Sequence, residues 1–354
     1  MFKTLLHVAI LLLCLAVVQS TAHPGHKEEI NAVALFKKRE YHSRTRQSLA
    51  KCARHFESNG LYTRAAQRRR EAVHKYRRDL IIRDTETVLN KSHLVTDPNI
   101  GPSTPEDILF SNNSTCILNP EGEVGPYYVP GELVRTDTRE GQLGVPVILD
   151  GQFIDVETCE PIQDLWWDIW NCNATGVYSG VVADGNGNSA DTSNINATFL
   201  RGIHKTDRDG VVQFWTIFPG HYSSRTTHYH VVAHLNATVL PNNTIAGGKV
   251  AHIGQLFWDQ DLIYEVESTY PYNTNEISIT TNADDHVVLA ETEESNSDPM
   301  INYVRLGNSL SDGLFGWITI AVNRSAIYDP SYSFVYTSSG GVAESGGSSN
   351  IVDP

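Results

Sequence analysis

The stretch Phe218–Val231, FPGHYSSRTTHYHV, combines a turn with the first part of a strand. Its Pro-Gly dipeptide marks the turn, and the β-branched and aromatic residues of Thr227–His234 favour the strand. Because successive side chains of a strand point to opposite faces, His228 and His230 share one face and can reach one metal ion together. The turn can present Tyr222 toward the same point. The stretch therefore predicts a β-fold with three candidate metal ligands beside one strand.

Short runs rich in Val, Ile, Tyr, Trp and Phe alternate with clusters of Gly, Asn, Asp and Pro along most of the chain. The runs are Val145–Leu149, Leu165–Trp170, Gly210–Phe218, Thr227–His234, Ile277–Thr281, Val287–Leu289 and Gly316–Val322. Short strands at this spacing are typical of a sandwich or a barrel. We therefore predict a mainly β fold, with a β-sandwich over residues 116–337 whose core takes in Trp166, Trp167 and Trp170.

The segments outside the predicted sandwich differ from it in composition and in hydrophobic pattern. Residues 27–57 and 61–88 have helical character, and Ser58-Asn59-Gly60 breaks them into a helical hairpin within residues 23–88. A polar linker, residues 89–115, follows the hairpin. The Gly/Ser-rich tail, residues 338–354, is predicted to be disordered.

The first 22 residues have the pattern of a secretory signal peptide. Lys3 precedes an apolar run, Leu5–Val18, and cleavage after Ser20 or after Ala22 fits equally well. Eight N-glycosylation sequons follow, at Asn90, Asn112, Asn113, Asn173, Asn196, Asn236, Asn242 and Asn323. No later stretch has the 18 uninterrupted apolar residues of a membrane anchor. These features predict a secreted glycoprotein.

Four cysteines remain once Cys14 leaves with the signal peptide: Cys52, Cys116, Cys159 and Cys172. An even count suits disulfides in an oxidising compartment, and four cysteines allow three pairings. Cys159–Cys172 is the preferred pair because the two residues flank one predicted hairpin. No C-x-x-C pair supports a metal-binding role.

The formal charge of −14 is unevenly distributed. From Pro24 to Asp84 the net charge is +9, whereas the rest of the mature chain carries −24. A basic helical arm beside an acidic body suggests that the arm docks on its own or a neighbouring protomer, so a homodimer through the helices is one expectation. The alternative is that the basic helices form an exposed charged surface and do not dock on another surface. No recognition motif supports nucleic-acid binding.

A second tyrosine, Tyr178, follows a glycine after the predicted strand that ends at Trp170. With Tyr178 in G-x-Y-S, Tyr222 in P-G-x-Y, and R-x-x-H-x-H from Arg225 to His230, the sequence resembles the intradiol ring-cleavage dioxygenases. The resemblance is to their secreted fungal-type branch, which is catechol- or protocatechuate-dioxygenase-like. It covers roughly residues 116 to 325.

The resemblance implies a non-haem Fe(III) ion and no other cofactor. Its ligands would be Tyr178, Tyr222, His228 and His230. Phenolate and imidazole donors suit a hard ferric ion. Tyr222 would also dissociate and accept a substrate proton, Arg225 would stabilise negative charge on the ring, and Gln255 would line the pocket. A catechol-type diol would then be cleaved with both atoms of O₂ to a muconate-type diacid.

The other histidines have simpler interpretations. His234 lies on the same strand face but about 13 Å from His230, too far to share the ion. His221 borders the site and is either a pocket residue or exposed. His204, His252 and His286 are expected on the surface or in the core.

Two features leave the substrate and the function class open. Only five residues separate Tyr222 from His228, and an insert stretches the interval from Arg225 to Gln255. Catechol, hydroxyquinol and protocatechuate-like substrates are therefore equally compatible. The alternatives are a copper-dependent oxygenase that uses His23 as an N-terminal ligand, and a secreted binding protein with a vestigial metal site.

Overall fold

The protein is described by a computed structural model over residues 32–83, 124–292, 298–337 and 340–348. The predicted signal peptide, the linker and the sequons at Asn90, Asn112 and Asn113 lie outside these residues. None of the described helices combines the length and the apolar character needed to span a bilayer.

Four helices and twelve strands make up the described chain. The helices are α1 (Ala32–Ser58), α2 (Leu61–Arg83), α3 (Gln260–Glu267) and α4 (His286–Thr292). The strands are β1 (Pro146–Asp155), β2 (Trp166–Trp170), β3 (Arg201–Lys205), β4 (Val211–Ile217), β5 (His228–Leu235), β6 (Thr238–Val239), β7 (Ile245–Ala246), β8 (Lys249–Phe257), β9 (Asn302–Arg305), β10 (Leu314–Val322), β11 (Ser331–Thr337) and β12 (Gly340–Ser348).

Two four-stranded sheets form the predicted β-sandwich. The first has the order β4-β1-β10-β9, with β1 and β10 parallel, and the second has the order β3-β2-β5-β8, antiparallel throughout. Alternate residues of each strand face the core between the sheets, as Tyr229, Val231 and Ala233 of β5 do. The mainly β fold with a helical hairpin before it is confirmed.

The outer face of the second sheet is covered by a second apolar cluster. Segment 127–129 and β11 supply much of this cover, including Tyr127, Tyr128, Tyr332 and Phe334. β11 pairs with β12, so the prediction of a disordered tail was wrong over residues 340–348. Composition misled because the first glycines of β12 pack against residues 195–196 rather than facing solvent: a Cβ on Gly341 would meet the Ile195 carbonyl oxygen at 1.8 Å.

The helical hairpin lies on the outer face of the first sheet. Val73 of α2 packs with Phe315 and Trp317 of β10. The guanidinium groups of Arg68 and Arg69 form ion pairs with the fully buried Asp150 of β1, at 3.0 and 3.4 Å. The basic arm therefore docks on the acidic body of its own chain.

A disulfide joins the same two units. Cys52 of α1 bonds Cys159, which follows β1, and Cys172 is a buried free thiol. The preferred pairing of Cys159 with Cys172 was wrong, because Cys172 lies on the far side of the second sheet with its sulfur 3.3 Å from the Gly220 carbonyl oxygen. Cys116 lies outside the described residues.

Two predicted strands are not strands. Ile277–Thr281 forms an irregular loop, and Val287–Leu289 lies within α4. The run Val287–Leu289 is apolar, but Asp285 accepts hydrogen bonds from the Val287 and Val288 amides and so starts a helix. Apolar runs of this length do not distinguish a strand from a short helix.

Candidate metal centre

Four side chains predicted as ligands converge on the outer face of the second sheet. His228 and His230 extend from β5, Tyr222 from the loop after β4, and Tyr178 from the loop after β2. Nε2 of His228 lies 3.0 Å from Nε2 of His230, 3.2 Å from the Tyr222 hydroxyl and 3.4 Å from the Tyr178 hydroxyl. The Tyr178 hydroxyl lies 3.1 Å from Nε2 of His230. The four donor atoms thus surround one point.

Buried polar groups fix the loop that carries Tyr178. The Asn186 side chain accepts from the Tyr178 amide at 2.7 Å and donates to its carbonyl oxygen at 2.8 Å. The buried Arg201 of β3 donates through Nε to the Ser179 carbonyl oxygen at 2.9 Å. These bonds fix the backbone of Tyr178 although the residue lies outside any strand.

The imidazoles are oriented with their lone pairs toward the common point. Nδ1 of His228 donates to the Thr226 carbonyl oxygen at 2.6 Å, which leaves Nε2 unprotonated. The His230 ring is stacked on Trp170, with centroids 4.9 Å apart and planes within 3°. On another side Gly125 approaches so closely that a Cβ there would lie 2.8 Å from Cε1 of His230.

Burial sets the protonation states in the absence of a cation. It lowers the pKa of His228 to about 3 and that of His230 well below its usual value, so both rings are neutral. Burial also raises the pKa of Tyr178 and of Tyr222, although the charge of Arg225 opposes the rise at Tyr222. A metal ion at the common point would reverse this preference and favour two phenolates.

The donor set fits a hard metal ion. Donor atoms 3.0–3.4 Å apart are the neighbours expected around an ion with bonds of about 2.0–2.2 Å. Two neutral imidazoles and two phenols suit ferric iron in particular. Among the described residues no group of three or more His, Cys, Asp or Glu side chains is arranged to hold a metal, so a metal here depends on the tyrosines.

The two predicted pocket residues meet beside these ligands. Arg225 donates through Nη2 to the Gln255 side-chain oxygen at 2.5 Å and through Nε to Oδ2 of Asp285 at 2.8 Å. Gln255 lies on β8, directly opposite His230 of β5. The insert between Arg225 and Gln255 forms the β6–β7 hairpin and leaves their contact intact.

The remaining histidines lie elsewhere. His221 is buried, with Nδ1 2.7 Å from Oε1 of Glu267 and Nε2 2.7 Å from the Ile277 carbonyl oxygen, so it anchors the loop that carries Tyr222. His234 pairs with Asp168 at 3.6 Å. His252 is buried in β8, and His204 and His286 are partly exposed.

Sequence reasoning missed Gly125 and Asp285. Gly125 lies within the residues that the resemblance covers, but contact with His230 was not foreseeable across a separation of 105 residues. Asp285 did carry a signal, because an aspartate shortly before an apolar run, here separated from it only by His286, is a helix N-cap pattern.

Comparison with known proteins identifies the family of this chain. A dioxygenase family model, Dioxygenase_C, matches residues 124–244. An intradiol ring-cleavage dioxygenase from Tetranychus urticae is 30% identical, with a TM-score of 0.50, over 61% of this chain and 97% of that one. A second solved dioxygenase has the same identity and TM-score, over 61% of this chain and 98% of that one. No curated protein matches. The chain, an oxidoreductase, belongs to the intradiol ring-cleavage dioxygenase family.

Proposed function

We propose that the protein is a secreted, Fe(III)-dependent intradiol dioxygenase that cleaves catechol-type rings with O₂ to muconate-type diacids. The observation that carries the proposal is the convergence of two phenols and two imidazoles, with donor atoms 3.0–3.4 Å apart. Export is supported by the signal-like first 22 residues and by the Cys52–Cys159 disulfide, which suits an oxidising compartment.

The chain's own residues have distinct roles in this proposal. Tyr178, Tyr222, His228 and His230 hold the ion. A bound ferric ion would supply the Lewis acidity that binds both catechol oxygens and activates the ring toward O₂. The phenolate oxygen that Tyr222 would present when bound to the ion would accept a catechol proton. Arg225 supplies positive charge for the electron-rich ring, in a site whose burial strengthens that interaction.

Iron content, visible absorption and oxygen uptake of the purified protein test the proposal. We expect about one iron per chain and a red-brown colour from tyrosinate-to-iron charge transfer. Anaerobic catechol should shift the absorption band, and aerobic catechol should be consumed with O₂ to give the diacid. An iron-loaded but colourless protein would contradict the tyrosine ligands. A coloured protein inert toward a panel of catechols would contradict the substrate class.

A pair of histidine variants provides the matched control. His228→Ala should lose iron and colour, whereas His234→Ala, on the same face of the same strand, should keep both. Loss of colour in both variants would assign the effect to the strand rather than to the proposed ligand.

A further inference from the structure

We infer that Asp285 is a positioning residue for the reaction, a single carboxylate that fixes both Arg225 and the backbone that orients His228. Its Oδ2 atom accepts from Nε of Arg225 and from the Thr226 amide, each at 2.8 Å. No part of its side chain is exposed to solvent. The inference rests on the proposed function.

The link to His228 runs through one residue. The Thr226 carbonyl oxygen accepts from Nδ1 of His228 at 2.6 Å, while the amide of the same residue is bound to Asp285. The Thr226 hydroxyl donates to Asn282 at 2.8 Å, in the segment that leads into Asp285. Displacement of Asp285 would therefore move the peptide group that determines which His228 nitrogen carries the proton.

The link to Arg225 is direct. Two N–H groups of a planar guanidinium are held, one by Asp285 and one by Gln255, so the orientation of the whole group is fixed. Although burial opposes ionisation, the charge of Arg225 and its hydrogen bond hold the pKa of Asp285 below its usual value. The pair therefore stays charged and aligned while substrate enters.

Asp285 itself is anchored by α4. Its Oδ1 atom accepts from the Val287 and Val288 amides at 2.8 and 3.0 Å, so the carboxylate is the N-cap of that helix. The second oxygen is thereby directed at Arg225 and Thr226. One oxygen therefore caps the helix, and the other binds Arg225 and Thr226. A substitution that keeps the cap but alters the second contact can distinguish a positioning role from a purely structural one.

Asp285→Asn tests the inference. Asparagine caps helices as well as aspartate does, so α4 is retained, but the substitution removes the charge opposite Arg225. The matched control is Asp150→Asn, which removes another fully buried aspartate paired with arginine, on the opposite sheet. The measurements are kcat and KM for catechol with the iron-loaded enzymes, and hydrogen exchange of the Thr226 amide in the full chain.

We expect Asp285→Asn to lower kcat at least tenfold, with less than a threefold change in KM, and to speed Thr226 exchange at least tenfold. Asp150→Asn should leave kcat and KM unchanged, and Asp285→Glu, which restores the charge, should recover part of kcat. A kcat within twofold of the parent, or unchanged Thr226 exchange, would overturn the inference. A parent enzyme inert toward catechols would instead refute the proposed function, and the exchange measurement would still decide the positioning of Thr226.

Discussion

Gly125 decides how closely the polypeptide can approach one of the proposed ligands. Its φ of +73° lies in the left-handed region, and the space where its side chain would be is filled by the His230 ring. Trp170 lies against the same ring. The imidazole is thus held between backbone and indole, and this packing positions the ring although its Nδ1 atom has no described hydrogen-bond partner.

Gly125→Ala should therefore displace His230 and reduce the iron bound per chain. Gly141→Ala is the matched control: its φ of +76° imposes a similar backbone cost, about 1–2 kcal/mol, but nothing lies within 4 Å of its Cβ. Elemental analysis and the thermal midpoint of both variants make the comparison. Equal iron content in the two variants would show that the contact is unimportant.

At the scale of elements, α2 is attached to the sandwich by charge as well as by apolar packing. Asp150 has no exposed side-chain surface and is surrounded by Arg68, Arg69 and Gln213. Burial lowers the pKa of Arg69 to about 10, while Asp150 opposes that shift. Removing one member of such a group leaves the others buried without compensation.

Asp150→Ala should accordingly reduce the free energy of unfolding by about 3–5 kcal/mol. Arg139→Ala, which removes an exposed pair with Asp137, should change it by only about 0–1 kcal/mol. Urea denaturation of both variants measures the difference. If the two losses were similar, the docking of α2 would depend on its apolar face alone.

The secondary-structure elements were predicted from the sequence with mixed success. Strand periodicity placed His228 and His230 on one face of β5, because a period of two leaves no other arrangement. It failed at Val287–Leu289, where the capping carboxylate of Asp285 outweighed the strand preference of the run. The disulfide was missed because its partner, Cys52, comes from a helix whose docking site no local pattern specifies.

At the scale of the whole molecule, the basic arm pairs with the acidic body of its own chain. Arg64 of α2 also pairs with Asp209, at 3.1 Å, in the turn between β3 and β4. The arm therefore has an acidic docking surface without a second protomer. A homodimer through the helices stays a prediction.

Buried neutral histidines should make the stability of the whole protein depend on pH. Burial lowers the pKa of His252 to about 3, against about 6.5 in the unfolded chain. Below pH 6.5 the unfolded state therefore binds a proton that the folded state excludes, so stability is fully present above pH 6.5 and is lost toward pH 3. His228 and His230 contribute with the same sign.

His252→Leu isolates one of these contributions. The loss of unfolding free energy between pH 7 and pH 5 should be smaller in the variant by about 2 kcal/mol, since one such histidine has been removed. Urea denaturation at the two pH values provides the comparison, each protein serving as its own reference. Identical pH dependence in parent and variant would contradict a neutral His252.

The Cys52–Cys159 bond closes a covalent ring, since its two cysteines are 107 positions apart. Cutting any one peptide bond inside a ring opens it without dividing the molecule. A protease that nicks the chain once between these cysteines therefore cannot release α1 and α2 from the sandwich, and the nicked protein would migrate as two pieces only after reduction. In the proposed extracellular setting, the bond would keep the two units joined after a cut that would otherwise separate them.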